Sequence, residues 1–302
     1  MSATDDIDDS AAPLIEHLAE LRTRLIRSVL AFIVGMVICF SFGSAILDFL
    51  LVPIEKTMRN LGNPNPVMQY TAPQEYFFTL IRISMVGGLA ISFPVIATQL
   101  WRFVAPGLYK NEKNAFLPFL VASPALFLLG AAFAHYVVVP LAMQFFLGFS
   151  DAASYLTALV VEGDARKSGI DIVFNGKVNE SLDITLKMIV AFGLCFQLPV
   201  LLTLMGKAGL VSTEGLRNVR KYAVVGILLL AALVTPPDVV TQLILFVVVY
   251  GLYEVSIFLV SRVEAKREAQ LRAEGYYDDE VEEDPLMAGF DEDPEDDEGD
   301  LK

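Results

Sequence analysis

The stretch HLAELRTRL, residues 17–25, sets Glu20 beside His17, Arg22 and Arg24, directly ahead of a long apolar run. Glu20 and Arg24 form an i, i+4 pair, which on an exposed helix contributes only about 0.2–0.5 kcal/mol. A second carboxylate, Glu112, stands between Lys110 and Lys113 in the segment WRFVAPGLYKNEKN, residues 101–114, where it can meet an arginine delivered from the adjoining compartment. Other polar groups lie at odd depths in apolar sequence. Gln197 falls in AFGLCFQLPVLL, with Pro199 two residues on freeing a backbone carbonyl, and Glu254 falls in YGLYEVSIFLV. An unpaired amide in such surroundings costs about 2–7 kcal/mol, and ionisable residues there usually face a bundle interior or a wet cavity. Gln197 and Glu254 are therefore either glue between helices or part of a functional site.

Catalytic apparatus is not visible. HExxH, GxSxG and GxxxxGK[ST] do not occur, and His17 and His135, the two histidines, are too distant in sequence to suggest a local metal site. Cys39 and Cys195 each sit inside an apolar run without CxxC spacing and read as inert buried thiols. Neither an enzyme, a metal, a cofactor nor a nucleic-acid partner is expected.

The elements that must position these groups are membrane helices. Hydrophobic residues make up 55% of the 302, above the roughly 45–50% of a soluble domain. A helix needs about 20 apolar residues to cross the hydrocarbon. Runs near that length occur at about 28–51, 77–100, 116–149, 186–205, 222–234 and 239–260, giving about six transmembrane helices in an all-α polytopic protein. The fifth run is short, and the third is long and carries Pro118, Pro124 and Pro140 as places to kink. TPPD, residues 235–238, separates the last two and permits a sharp reversal. Leu14, Leu18, Leu21 and Leu25 recur on one stripe, so residues 13–27 read as a cytoplasmic amphipathic helix opening at Pro13, after a disordered segment 1–12.

Basic residues cluster before the first run and after the second, fourth and sixth. The positive-inside rule then puts both termini in the cytoplasm. The connection 150–183 is the longest external loop, and Asn175-Gly176 within it signals either a small hairpin or an irregular segment. The membrane domain spans 13–262. Beyond it, residues 263–302 form an acidic, largely disordered tail. From Glu274 onward fifteen acids face the single Lys302, which accounts for the whole formal charge of −14 and leaves the body neutral.

Taken together, HLAELRTRL, SFPVIATQLWRFVAPGLYKNEKN, AFGLCFQLPV, LVTPPDVVTQ and YGLYEVSIFLVSR resemble, in order, the TatC family, the receptor subunit of the twin-arginine protein translocase. The resemblance implies a concave, glove-like bundle of six kinked helices in the bacterial inner membrane. Its cytoplasmic face would bind signal peptides through Glu20 and Glu112, with Arg22, Arg24 and Phe103 shaping the same surface. The leucines of residues 14–25 would pack on the bundle. The resemblance further implies single-span TatA and TatB partners met near Gln197, Pro199 and Glu254, a functional outer turn at Asp238 and Gln242, and a homo-oligomeric receptor complex driven by the proton motive force. Where the family often has glutamate this chain has Gln197, so a titrating mid-membrane carboxylate does not apply. A small-molecule secondary transporter with a polar midplane site at Gln197 and Glu254 is the alternative.

Overall fold

A computed structural model describes residues 5–104, 113–160, 175–235 and 238–273. Long apolar helices dominate because every backbone N–H and C=O in hydrocarbon must be satisfied within its own segment. In chain order they are α1 (Asp5–Ser41), α2 (Gly43–Asn60), α3 (Glu75–Val104), α4 (Lys113–Phe133), α5 (Val139–Val160), α6 (Val178–Cys195), α7 (Leu198–Lys207), α8 (Thr213–Asn218), α9 (Arg220–Val234) and α10 (Val239–Ala273). Five stretches are long and apolar enough to cross a membrane: His17–Ser41, Glu75–Phe103, Pro118–Phe149, Val178–Lys207 and Val239–Ala273. The expected sixth is α9, whose 15 residues reach only about 22 Å.

Several boundaries differ from the sequence expectation. The amphipathic segment and the first span are one continuous helix that starts at Asp5, ahead of Pro13, and breaks at Phe42. Extending a helix adds one hydrogen bond per residue, whereas a separate second helix needs a new nucleus. The first crossing therefore runs from His17 to Ser41, and residues 43–60 form α2 instead of completing it. Helix also covers part of the expected 150–183 loop, since α5 reaches Val160 and α6 begins at Val178. At the other end α10 continues past residue 262 to Ala273. The acidic run from Glu274 onward lies outside the described residues.

The hairpin signal at Asn175-Gly176 is a correction. Gly176–Lys177 (β2) pairs in parallel with Met68–Gln69 (β1), and α6 starts at the next residue, so helix stands where the second strand of a hairpin would run. A distant strand edge supplies the hydrogen bonds that a local turn would have used. This pair joins the α2–α3 connection to the α5–α6 connection, so both lie at one end of the bundle.

The stripe of α1 also faces the opposite way from that expected. Leu18, Leu21 and Leu25 are exposed, while Glu20, Arg24 and Ser28 turn inward and lead to buried Gly35 and Cys39. In a soluble domain the apolar stripe of a helix seeks the core, but here the leucines face out and small or polar residues face the neighbouring helix, the pattern of helices that pack against one another in membranes.

Glycines set the closest crossings. A β-carbon at Gly88 would lie 2.7 Å from the Met36 backbone, and one at Gly35 would lie 2.8 Å from the Gly88 carbonyl oxygen, so α1 and α3 cross backbone to backbone. On α4, a β-carbon at Gly130 would meet the Phe192 carbonyl of α6 at 2.5 Å. At Gly206 of α7 it would meet Val260 of α10 at 2.9 Å. Without a hydrophobic drive between helices in lipid, such close packing is what holds them together. Gly130→Ala should lower the thermal midpoint of the detergent-purified protein by several degrees, reflecting about 1–3 kcal/mol of overpacking. Gly226→Ala, at a site with nothing within 4 Å, should not lower it.

Candidate functional site

The groups picked out near the N-terminus come together where α1 enters the bundle. The His17 ring stacks on Phe103 at the end of α3, with centroids 4.4 Å apart and planes 15° from parallel. This contact brings the start of α1 beside the segment that leads towards Glu112. One turn on, Arg24 Nε donates to Glu20 Oε1 at 2.9 Å, and Arg24 Nη2 donates to the same oxygen. His17 Nδ1 lies 3.9 Å from Glu20 Oε2. Glu20 is thus a half-exposed carboxylate fixed by a guanidinium on one side and an imidazole on the other, while Arg22 points away and is exposed. Glu112 lies outside the described residues; the described chain stops at Val104 and resumes at Lys113.

The intramembrane polar groups have partners within the chain. Between α6 and α7 the helix breaks at Phe196 and Gln197, with Pro199 in the first turn of α7. Gln197 Nε2 donates to the Ser123 carbonyl at 2.8 Å, and Ser123 Oγ donates to Gln197 Oε1 at 2.6 Å. Trp101 Nε1 reaches the same hydroxyl at 3.4 Å. Ser123 and Trp101 thereby link α3, α4 and α7 through one amide. Arg220, at the start of α9, donates to Glu254 of α10 at 2.6 Å.

Asp238 is 5% exposed and caps α10, accepting the Thr241 N–H at 2.7 Å and the Thr241 hydroxyl. Gln242 is half-buried one turn into the helix, its N–H donating to the Asp238 carbonyl at 3.3 Å. A short spacing of Asp before Thr is a sequence signal for such a cap. The partners Ser123, Arg220 and Glu264 were missed from sequence because they lie 34 to 74 residues from the groups they satisfy. Glu264 accepts the Thr213 N–H at 2.9 Å and so ties α8 to the far part of α10. Among the described residues there is no cluster of three or more His, Cys, Asp and Glu able to hold a metal.

Fold and site define a polytopic helical membrane protein with a charged, aromatic-backed carboxylate at one end of its bundle and internally paired polar groups along its length. Residues 16–247 match the family model described as Sec-independent protein translocase protein (TatC). A relative from Magnetococcus marinus, named Sec-independent protein translocase protein TatC, is 44% identical over 88% of this chain and 90% of its own length. One of the same name from Aquifex aeolicus is 39% identical over 82% of this chain and 94% of its own. A crystal structure described as the twin-arginine translocase receptor TatC superposes with a TM-score of 0.66 at 38% identity, covering 82% of this chain and 99% of that one. The chain belongs to the TatC family, a family of protein translocase components and not of enzymes.

Removing the Ser123 hydroxyl leaves the Gln197 carbonyl oxygen without its donor, at a cost of about 1–3 kcal/mol. In thermal unfolding, Ser123→Ala and Gln197→Leu should each destabilise, and the double variant should lose clearly less than the two losses combined.

Proposed function

We propose that this chain is the twin-arginine signal-peptide receptor and core subunit of a Tat translocase that exports folded proteins across a bacterial cytoplasmic membrane. The observation that carries this reading is the Glu20 carboxylate, oriented by Arg24 and by His17, whose ring in turn stacks on Phe103 where α1 meets α3. Arginine suits such a site because its planar fork matches a carboxylate with two parallel hydrogen bonds, whereas lysine offers a point charge. An incoming guanidinium competes with Arg24 for Glu20, exchanging an internal pair for an external one without leaving a carboxylate unpaired. Glu112, eight residues beyond Val104, supplies the second carboxylate, and the Phe103 ring flanks the peptide.

On this reading the α1 start, the α3–α4 connection and α8 face the cytoplasm, as do both termini, and the β1–β2 pair faces the periplasm. Single-span TatA- and TatB-type proteins bind against the lipid-facing helices near Gln197, Pro199 and Glu254. Asp238 and Gln242 act at the outer turn, several copies of the chain assemble in the receptor complex, and the proton motive force drives transport. The transporter alternative loses ground because Gln197 and Glu254 are each engaged by Ser123 and Arg220, which leaves no shared polar midplane site between them.

Losing a hydrogen bond to a charged group costs about 1.5–3 kcal/mol, or at least about ten-fold in binding. Glu20→Gln and Glu112→Ala should therefore weaken photocrosslinking to a twin-arginine signal peptide by about ten-fold or more, as should lysine in place of the peptide's arginine pair. Glu55→Ala, on α2, should leave crosslinking unchanged; equal losses at positions 55 and 112 would rule the site out.

A further inference from the structure

His135 occupies a five-residue π turn, Ala134–Val138, that interrupts the helix between α4 and α5. The Val139 N–H donates to the Ala134 carbonyl across this widened turn. Such turns insert one residue too many for the α-helical repeat and recur at functional sites, because they redirect a side chain at the expense of regular hydrogen bonding. The redirected side chain here is an imidazole that is 3% exposed, and neither of its ring nitrogens has a hydrogen-bond partner among the described residues. Gln99 Oε1 and Arg220 Nε are also buried without a partner, but Arg220 bonds Glu254 through Nη2, whereas at His135 both side-chain nitrogens are unmet.

His135 lines a cavity of about 380 Å³ between α2, α3, α4 and α6, whose other walls include Phe49, Ile83, Leu128, Tyr136 and Ile189. Phe49 stacks on the imidazole at 4.5 Å, and Tyr136 meets it edge-on at 4.7 Å. Phe49, Leu128 and Tyr136 are 50–63% exposed, so the cavity opens on the outer surface of the spans, where lipid lies. Its size falls at the lower end of ligand pockets, about 300–1,000 Å³, and apolar walls with one convergent polar group are their usual make-up. Water is a poor occupant, since a buried water needs about two to four polar partners and, of the side chains lining this cavity, only His135 and Tyr136 carry polar atoms.

We propose that this cavity binds a membrane-soluble molecule that presents an uncharged carbonyl oxygen to His135 between the Phe49 and Tyr136 rings. Two sources carry that chemistry: the ring of a quinone and the ester carbonyl of a phospholipid. The imidazole gains the partner it lacks, and the apolar body of the ligand fills space that would otherwise be void. The site lies on different residues from the twin-arginine reading and does not depend on it.

The chain contains two histidines, so ¹⁵N-histidine labelling gives two sets of ring signals, and His17→Asn assigns those of His135. Spectra are compared in nanodiscs of ether-linked phospholipid, of ester-linked phospholipid, and of ether-linked phospholipid with added decyl-benzoquinone. A shift of the His135 nitrogens in the ester discs identifies the lipid carbonyl as the occupant; a saturable shift only on adding quinone identifies the ring. Leu128→Trp, which narrows the mouth, should abolish either response without altering the His17 signals. Identical His135 signals in all three discs, or cross-relaxation showing the ring hydrated by water, would overturn the proposal.

Discussion

The backbone-to-backbone crossing of α1 and α3 at Gly35 and Gly88 is the constraint on which the charged end of this protein depends. Two helices that touch through glycine have no side-chain layer between them, so their relative angle and register are fixed tightly at that point. From Gly35 to His17 is five turns, and over that distance α1 stays close enough to α3 for the His17 ring to rest on Phe103. A bulkier crossing would splay the helices and separate His17 from Phe103. The charged end is therefore positioned from far along the helix, by the least conspicuous residues in the chain.

The same economy of partners governs the interior. Lipid offers nothing to a polar group, so each one must be met by the chain or by a bound molecule. Gln197 meets Ser123 and Trp101 at the break between α6 and α7, Glu254 meets Arg220, and Asp238 meets the first turn of its own helix. These pairs also join consecutive parts of the fold: α4 with α7, α9 with α10. The polar groups therefore double as the joints of the bundle.

Much of this architecture can be read from sequence, because the length of an apolar run is set by the thickness of hydrocarbon and needs no knowledge of the fold. The spans of α3, α6–α7 and α10, the shortness of α9 and the reversal before Asp238 all follow from counting. What counting misses is direction and distance. The leucines at 18, 21 and 25 form a regular stripe, but periodicity cannot say whether that stripe meets the bundle or its surroundings, and it lies on the exposed side. Asn175-Gly176 carries a strong local turn signal, yet the partner strand is Met68–Gln69, more than a hundred residues away. His135 reads as one of two unrelated histidines until the π turn buries it beside Phe49. Of the two expected carboxylates, Glu20 is placed and Glu112 lies outside the described residues.

The shortness of α9 bears on how the protein is made. A segment of 15 residues is below the roughly 17 needed for a helix to hold itself in hydrocarbon. It also emerges from the ribosome before its companion α10, to which Arg220 is bonded through Glu254. Its contact with the longer α10, through Arg220 and Glu254, supplies the hold that its own length does not. The contact that secures α9 therefore cannot form until residue 254 has been synthesised.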